Sequence, residues 1–193
     1  NNDADEFWWP ASGDLKSLFA SLPDDVVALK APRFNFVAVE GQGPFHRHMI
    51  YREIQSFNIF GKPLPPKLAH RGGAHVTVEQ GNHKLSGLAS GRTAETGIDI
   101  LHFPVRSLAQ IENKIAKGGA AYARNSDLAH NIGRTWRKLH EELAREGSLR
   151  RHFAEVAPGA DERERLLAEG KLIVDRRLHD FLAGAVALAV LVP

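Results

Sequence analysis

The sequence predicts an α/β protein, and three observations point there. Short β-branched runs punctuated by Gly and Pro fill the first half, helix-periodic segments follow Pro104, and apolar residues are plentiful throughout. Of the 193 residues, 43% are hydrophobic and 25% charged, enough to build a core and close to ordinary soluble usage. The net charge is only +2, which gives no reason to expect nucleic acid as a partner. The absence of cysteine excludes a disulfide scaffold and any thiolate metal site.

The elements follow in order. The opening NNDADEFWWP places Asp3 and Asp5 two residues apart at the end of a strand. There their side chains would share a face about 6.5 Å apart, a spacing that suits a hard divalent cation and a ligand hydroxyl. GDLKSLFASLP sets Leu15, Leu18, Phe19 and Leu22 at helical spacing. Residues 26–30 and 33–39 read as two strands ahead of the EGQGP turn. His46 and His48 follow without carboxylate or cysteine company at metal-site spacing, so zinc is not expected there. PLPPKLAHRGG gathers Lys67, His70 and Arg71 between rigid Pro and flexible Gly, as an anion clamp or a plain surface turn. AHVTVEQGN alternates Val76 and Val78 with Thr77 and Glu79, the pattern of a half-buried strand, and leads to Asn82 and His83 in a Gly-flanked turn.

GIDILHFP is a short apolar run ending at a proline, a buried strand with His102 at its end. That histidine reads either as a metal-facing imidazole or as a satisfied core residue. In RSLAQIENKIAKGG, Ser107 and Gln110 form a capping box, Leu108, Ile111 and Ile115 share a face, and Gly118 or Gly119 closes the helix. Further helices are expected at 127–146, with Trp136, Leu139 and Leu143 inward, and at 161–169 and 171–191. Between Arg106 and Arg151 ten basic residues stand against five acidic ones, a solvated face or a lid that meets phosphates. The apolar run 181–193 is thirteen residues long, short of the about 20 that span a bilayer, and reads as a buried or interfacial helix. Both ends of the chain look cut rather than natural.

The order of the motifs adds a resemblance. DADEF (3–7), KLAHR (67–71), GNH (81–83), HFPVRS (102–107) and NKIAKGG (113–119) follow one another as in bacterial glycosyltransferases of the family 2 type. The similar branch carries D-x-D-E-F and a late H-[FY]-x-x-[RK]-S segment before a K-x-x-x-G helix. The resemblance covers about residues 1–140 and implies a GT-A fold, a Rossmann-like α/β sandwich for a nucleotide-diphosphate sugar. On it, 1–125 would be the C-terminal part of the catalytic domain, beginning at the D-x-D motif, and 126–193 a helical extension. The resemblance implies Mn²⁺ or Mg²⁺ held by Asp3, Asp5 and His102. It also implies a donor site with Asp3, Asp5, Lys67, Arg71, Asn82, Arg106 and Lys114, and a saccharide or lipid-linked acceptor. It suggests a cytoplasmic enzyme, with peripheral contact at the inner face of the membrane.

An inverting transferase needs a base for the acceptor hydroxyl. The family commonly places it in an E-D pair, and this chain has none. Glu53, Glu79 and Asp99 are the carboxylate candidates, Glu53 first for its polar stretch, with His83 as a non-carboxylate alternative. Two other functions fit the same residues. One is a divalent-metal phosphoester hydrolase; the other is a carbohydrate-binding module with Trp8, Trp9 and Trp136 as stacking platforms.

Overall fold

Apolar strands in this chain find partners far away in sequence. A computed structural model describes residues 2–95, 97–125, 127 and 132–190, the side chains of 186–190 lying outside the description. Its elements run β1 (Glu6–Pro10), α1 (Leu15–Ala20), β2 (Val26–Ala31), β3 (Arg33–Asn35), β4 (Tyr51–Glu53), β5 (Lys67–His70) and β6 (Thr77–Val78). They continue with β7 (Leu85–Ser86), β8 (Arg92–Ala94), β9 (Ile98–His102), α2 (Leu108–Arg124), α3 (Arg134–Glu146), α4 (Arg150–Val156), α5 (Ala160–Ala168), β10 (Leu172–Val174) and α6 (Arg177–Val190). The protein is mixed α/β with small sheets, as expected. It divides into two compact units, Asn1–Asn35 with Gln55–His102, and Phe36–Ile54 with Phe103–Pro193. Residues 36–54 thus join the helices, a grouping different from a boundary at 125/126.

The first unit holds two three-stranded sheets, ordered β1-β9-β3 and β5-β2-β8. β9 is central, antiparallel to β1 and parallel to β3, which explains its nearly continuous apolar run. Val26, Leu29, Ala31, Ile98 and Ile100 form the core, with Trp8, Leu15, Leu18 and Leu22 packed on it. Each of these Val, Leu and Ile side chains contributes about 1.5–3 kcal/mol on burial. Asp14 caps α1 by accepting from the Ser17 amide at 2.9 Å. Pro32 ends β2; it has no N–H to give a ladder, but its carbonyl accepts from the Ile100 amide at 2.8 Å. The strand expected at 33–39 is shorter, ending at Asn35.

In the second unit Phe103 stacks on Phe36 and Phe45, with ring centroids 4.3 and 4.9 Å away. Ser107 caps α2, and the Gln110 side chain reaches back to the Arg106 amide, one residue beyond the ordinary capping box. Neither Gly118 nor Gly119 closes α2, which runs on to Arg124. Both serve close packing instead. A Cβ on Gly118 would stand 2.3 Å from the Trp136 ring, and one on Gly119 2.5 Å from His140 Cβ, so α3 can approach only because these side chains are absent. The described part of the helix expected at 127–146 is α3; residues 128–131 lie outside the described residues. The segment expected as one helix from 171 opens with β10, antiparallel to β4, before α6 begins. At three residues, with burial falling steadily from Leu172 to Val174, it is too short to show a strand period against the helical pattern after it. No described helix is long and apolar enough to cross a membrane.

Candidate functional site

Strand register builds the site. Glu6 on β1, His102 on β9 and Asn35 on β3 are direct partners across three strands, at the end of β9. Directly opposed residues on neighbouring strands share a face. His102 Nδ1 lies 2.8 Å from Asn35 Oδ1, an oxygen that only accepts, so this bond places the ring proton on Nδ1. Nε2 lies on the Asp5 side, with Oδ2 3.9 Å away and both side chains 13% exposed. That gap is too long for a hydrogen bond. Ser56 fixes Asn35 from behind, its hydroxyl accepting from the Asn35 amide at 2.8 Å.

Asp3 and Asp5 are not on a strand, contrary to expectation. They sit in the turn that leads into β1, closed by the Glu6 amide donating to the Asp3 carbonyl at 3.1 Å, and β1 is an edge strand rather than a central one. The turn separates their tasks. Asp5 faces His102, while Asp3 accepts from Lys67 Nζ at 2.6 Å.

Lys67 is only 2% exposed, and its ammonium also pairs with Glu6 at 3.3 Å. Glu6, with a fully buried side chain, meets Arg33 at 3.2 Å. Burial pushes the Glu6 carboxyl up, outweighing the downward pull of Lys67 and Arg33.

The basic run 67–71 does not present its cations together. Lys67 and His70 stand at positions of opposite parity on β5, and so on opposite faces. Arg71, past the strand end, spends its guanidinium on the backbone carbonyls of Val26, Leu22 and Pro23 at 2.8 to 3.1 Å. Asn82, at φ 55°, donates to the Leu68 carbonyl at 2.9 Å and so ties its turn to β5. His83 Nδ1 donates to the Pro66 carbonyl at 2.9 Å, leaving Nε2 as the acceptor nitrogen. Burial holds this imidazole below its ordinary value. The Pro66 bond and Asp3 push back, and Arg33 and Lys67 press the same way as burial.

Other expected site residues belong to the second unit. Glu53 lies on β4, opposite Leu172 of β10. The Arg106 guanidinium stands over the Phe45 ring, 5.1 Å from its centroid. Lys114 Nζ donates to the Pro104 carbonyl at 3.3 Å and lies 5.5 Å from the Trp136 ring centroid. Trp136 is thus packed against α2 by Lys114 and Gly118, and Trp8 donates its indole N–H to Asn2 Oδ1 at 3.0 Å.

A Mn²⁺ or Mg²⁺ ion tests this geometry. Among the described residues no three His, Asp or Glu side chains converge on one point, so an all-protein cage is absent and Asp3 does not join as a third ligand. Asp5 and His102, 3.9 Å apart, are the nearest approach to a donor pair, since ligand bonds of about 2.1 Å would allow donors about 3 to 4 Å apart. A carboxylate oxygen with an imidazole nitrogen suits manganese better than magnesium.

Arg33, Asn35 and Ser56 carry little sign in the sequence of belonging to this site. The one available signal is Arg33 and Asn35 alternating with Phe34 and Phe36, the mark of a strand with a polar face. Set against known proteins, the chain matches no family model, no curated sequence and no solved structure.

Proposed function

We propose that the chain is the C-terminal part of a GT-A catalytic domain that moves a sugar from a nucleotide-diphosphate donor to an acceptor hydroxyl. The observation that carries this reading is the Asp5–His102 pair, 3.9 Å apart at the end of β9, with His102 oriented by Asn35. Asp5 and His102 would hold Mn²⁺ or Mg²⁺, which when bound neutralises charge on the diphosphate leaving group. Lys67 keeps the Asp3 and Glu6 carboxylates in place around that pair. Asp3, half outside the cluster at 60% exposure, is the carboxylate suited to a ligand hydroxyl. His83 is neutral at neutral pH by virtue of its lowered pKa, and its Nε2 would take the proton of the acceptor hydroxyl. A cytosolic nucleotide-sugar pool fits this chemistry.

The test supplies the protein with Mn²⁺ and a panel of nucleotide-diphosphate sugars and follows nucleotide release with and without saccharide or lipid-linked acceptors. Release should rise with the right acceptor, and Asp5→Ala and His102→Ala should each lower metal-dependent turnover about 100-fold. Turnover that survives both substitutions sinks the reading. Release indifferent to every acceptor replaces it with a phosphoester hydrolase.

A further inference from the structure

β5 is an edge strand, and side chains collect the carbonyls at and just before its start. Arg33 Nε donates to Pro65 at 3.1 Å, His83 Nδ1 to Pro66 at 2.9 Å and Asn82 Nδ2 to Leu68 at 2.9 Å. Two prolines in a row supply acceptors with no N–H of their own. We infer that the Gly81–Asn82 turn is a positioning device for His83: Asn82 ties the turn to β5, Gly81 leaves room for the ring, and the imidazole is thereby held with its proton on Nδ1 and its lone pair on Nε2. This inference rests on the reading of His83 as the base, reaches beyond it to two residues that act only through the ring, and calls on no metal ion.

The turn lies in the hairpin of β6 and β7, which the Glu79 amide closes by donating to the Lys84 carbonyl at 3.0 Å. Inside it the Asn82 amide donates back to the Glu79 carbonyl at 2.9 Å. Gly81 and Asn82 both take positive φ, 77° and 55°, which glycine adopts freely and asparagine more readily than most residues. Asn82 is 4% exposed, so its side chain serves the interior rather than a ligand. A Cβ on Gly81 would stand 2.8 Å from His83 Cδ2 and 2.9 Å from Nε2, so the ring edge that carries Nε2 lies against the bare glycine. Nδ1 meets a carbonyl, which only accepts, and the nitrogen that donates leaves the other as the acceptor. Among the described residues none hydrogen-bonds Nε2, and it is not one of the buried polar atoms, so an incoming hydroxyl can reach it. Burial, Arg33 and Lys67 press the ring toward its neutral form, against the Pro66 bond and Asp3.

Two measurements on the full chain test this, neither of them turnover. The first is the wild-type His83 tautomer, from two-bond ¹H–¹⁵N correlations at about pH 8, where the ring is neutral. Nδ1–H is expected, and a proton on Nε2 overturns the inference. The second repeats the measurement in Asn82→Gly, which accepts the same φ and removes the side-chain tie. The single tautomer should give way to a mixture of both, and an unchanged tautomer overturns the inference. If Asn82→Gly does not fold, Gly81→Ala decides, since its Cβ would push the ring off the Pro66 carbonyl: a mixture supports the inference and an unchanged tautomer overturns it. If neither variant folds, the wild-type tautomer decides alone. A chain that shows Nδ1–H and the expected mixture, but whose acceptor-dependent nucleotide release survives His83→Gln, fails the base reading and leaves the turn in its role.

Discussion

Glu6 in the first unit and Asp175 in the second are both buried carboxylates, and each faces two cations. Burial raises both, yet their preferences diverge. At Asp175 the upward push of burial is outweighed by Arg177, whose guanidinium donates at 3.0 and 2.7 Å and whose backbone amide adds a bond at 3.2 Å, with Arg52 beside them at 3.0 Å. The carboxyl ends below its usual value. Glu6 has single, longer approaches, 3.2 Å to Arg33 and 3.3 Å to Lys67, and ends above. Equal numbers of cations therefore do not make equal sites; a planar fork and a backbone N–H satisfy a carboxylate in a way that two offset point charges do not. Asp175 joins β10 to α6 as a structural tie. Glu6 belongs to a cluster in which Lys67 is shared with Asp3.

The largest expected effect comes from removing the cation shared by Glu6 and Asp3. Lys67→Met should cost about 3–5 kcal/mol in denaturant unfolding at mildly alkaline pH, because Glu6 stays buried and loses its ammonium. The loss should shrink on acidification. The folded pKa of Glu6 lies above its unfolded value, so its contribution to stability is complete below 4.5 and lost as pH rises through the folded pKa. A cost that does not depend on pH would show that Glu6 is never the charged partner.

Next comes the direct contrast. Asp175→Asn should cost about 1.5–3 kcal/mol, the worth of hydrogen bonds to charged groups, whereas Glu6→Gln should stay within about 1 kcal/mol. Asp175 has a depressed pKa, so its contribution is present above 3.8 and lost as pH falls through the folded value; Asp175→Asn should flatten that acid limb. If Glu6→Gln proves the costlier of the two, the distinction between tie and site is wrong.

The smallest effect is expected at His83, whose folded pKa lies below its unfolded value of 6.5. The unfolded chain then binds more protons in the window just under 6.5, so stability falls as pH drops into it. His83→Gln should reduce that slope without abolishing it, since His46 and His152 are depressed in the same direction by burial. An unchanged slope would place the His83 ring in solvent and remove it from the cluster.

What could be read from the sequence follows the range of the interactions. α1, the capped start of α2 and the buried β9 were legible because caps and periodicity act within a few residues. Asp5 and His102 were named for the residue types they are, and they do face each other. Lys67 was read as an exposed clamp because a lone lysine between prolines carries no sign of the two carboxylates that cover it from the other end of the unit. Gly118 and Gly119 look like a helix stop for the same reason, since Trp136 and His140 are visible only once α3 is packed. Asn35 was unreadable as a partner of His102 because strand register is a long-range choice, and a slip of one residue would turn it to the other face.

The row Glu6–His102–Asn35 has a kinetic consequence. Its members stand 96 and 67 positions apart, so each bond in the row closes a long loop before any local reward is gained. Such closures come late in folding and open early under stress. The row can thus exist only in a chain that has finished pairing β9 on both edges, which makes it a mark of native topology. A misregistered or half-folded molecule would keep its helices and lose this row.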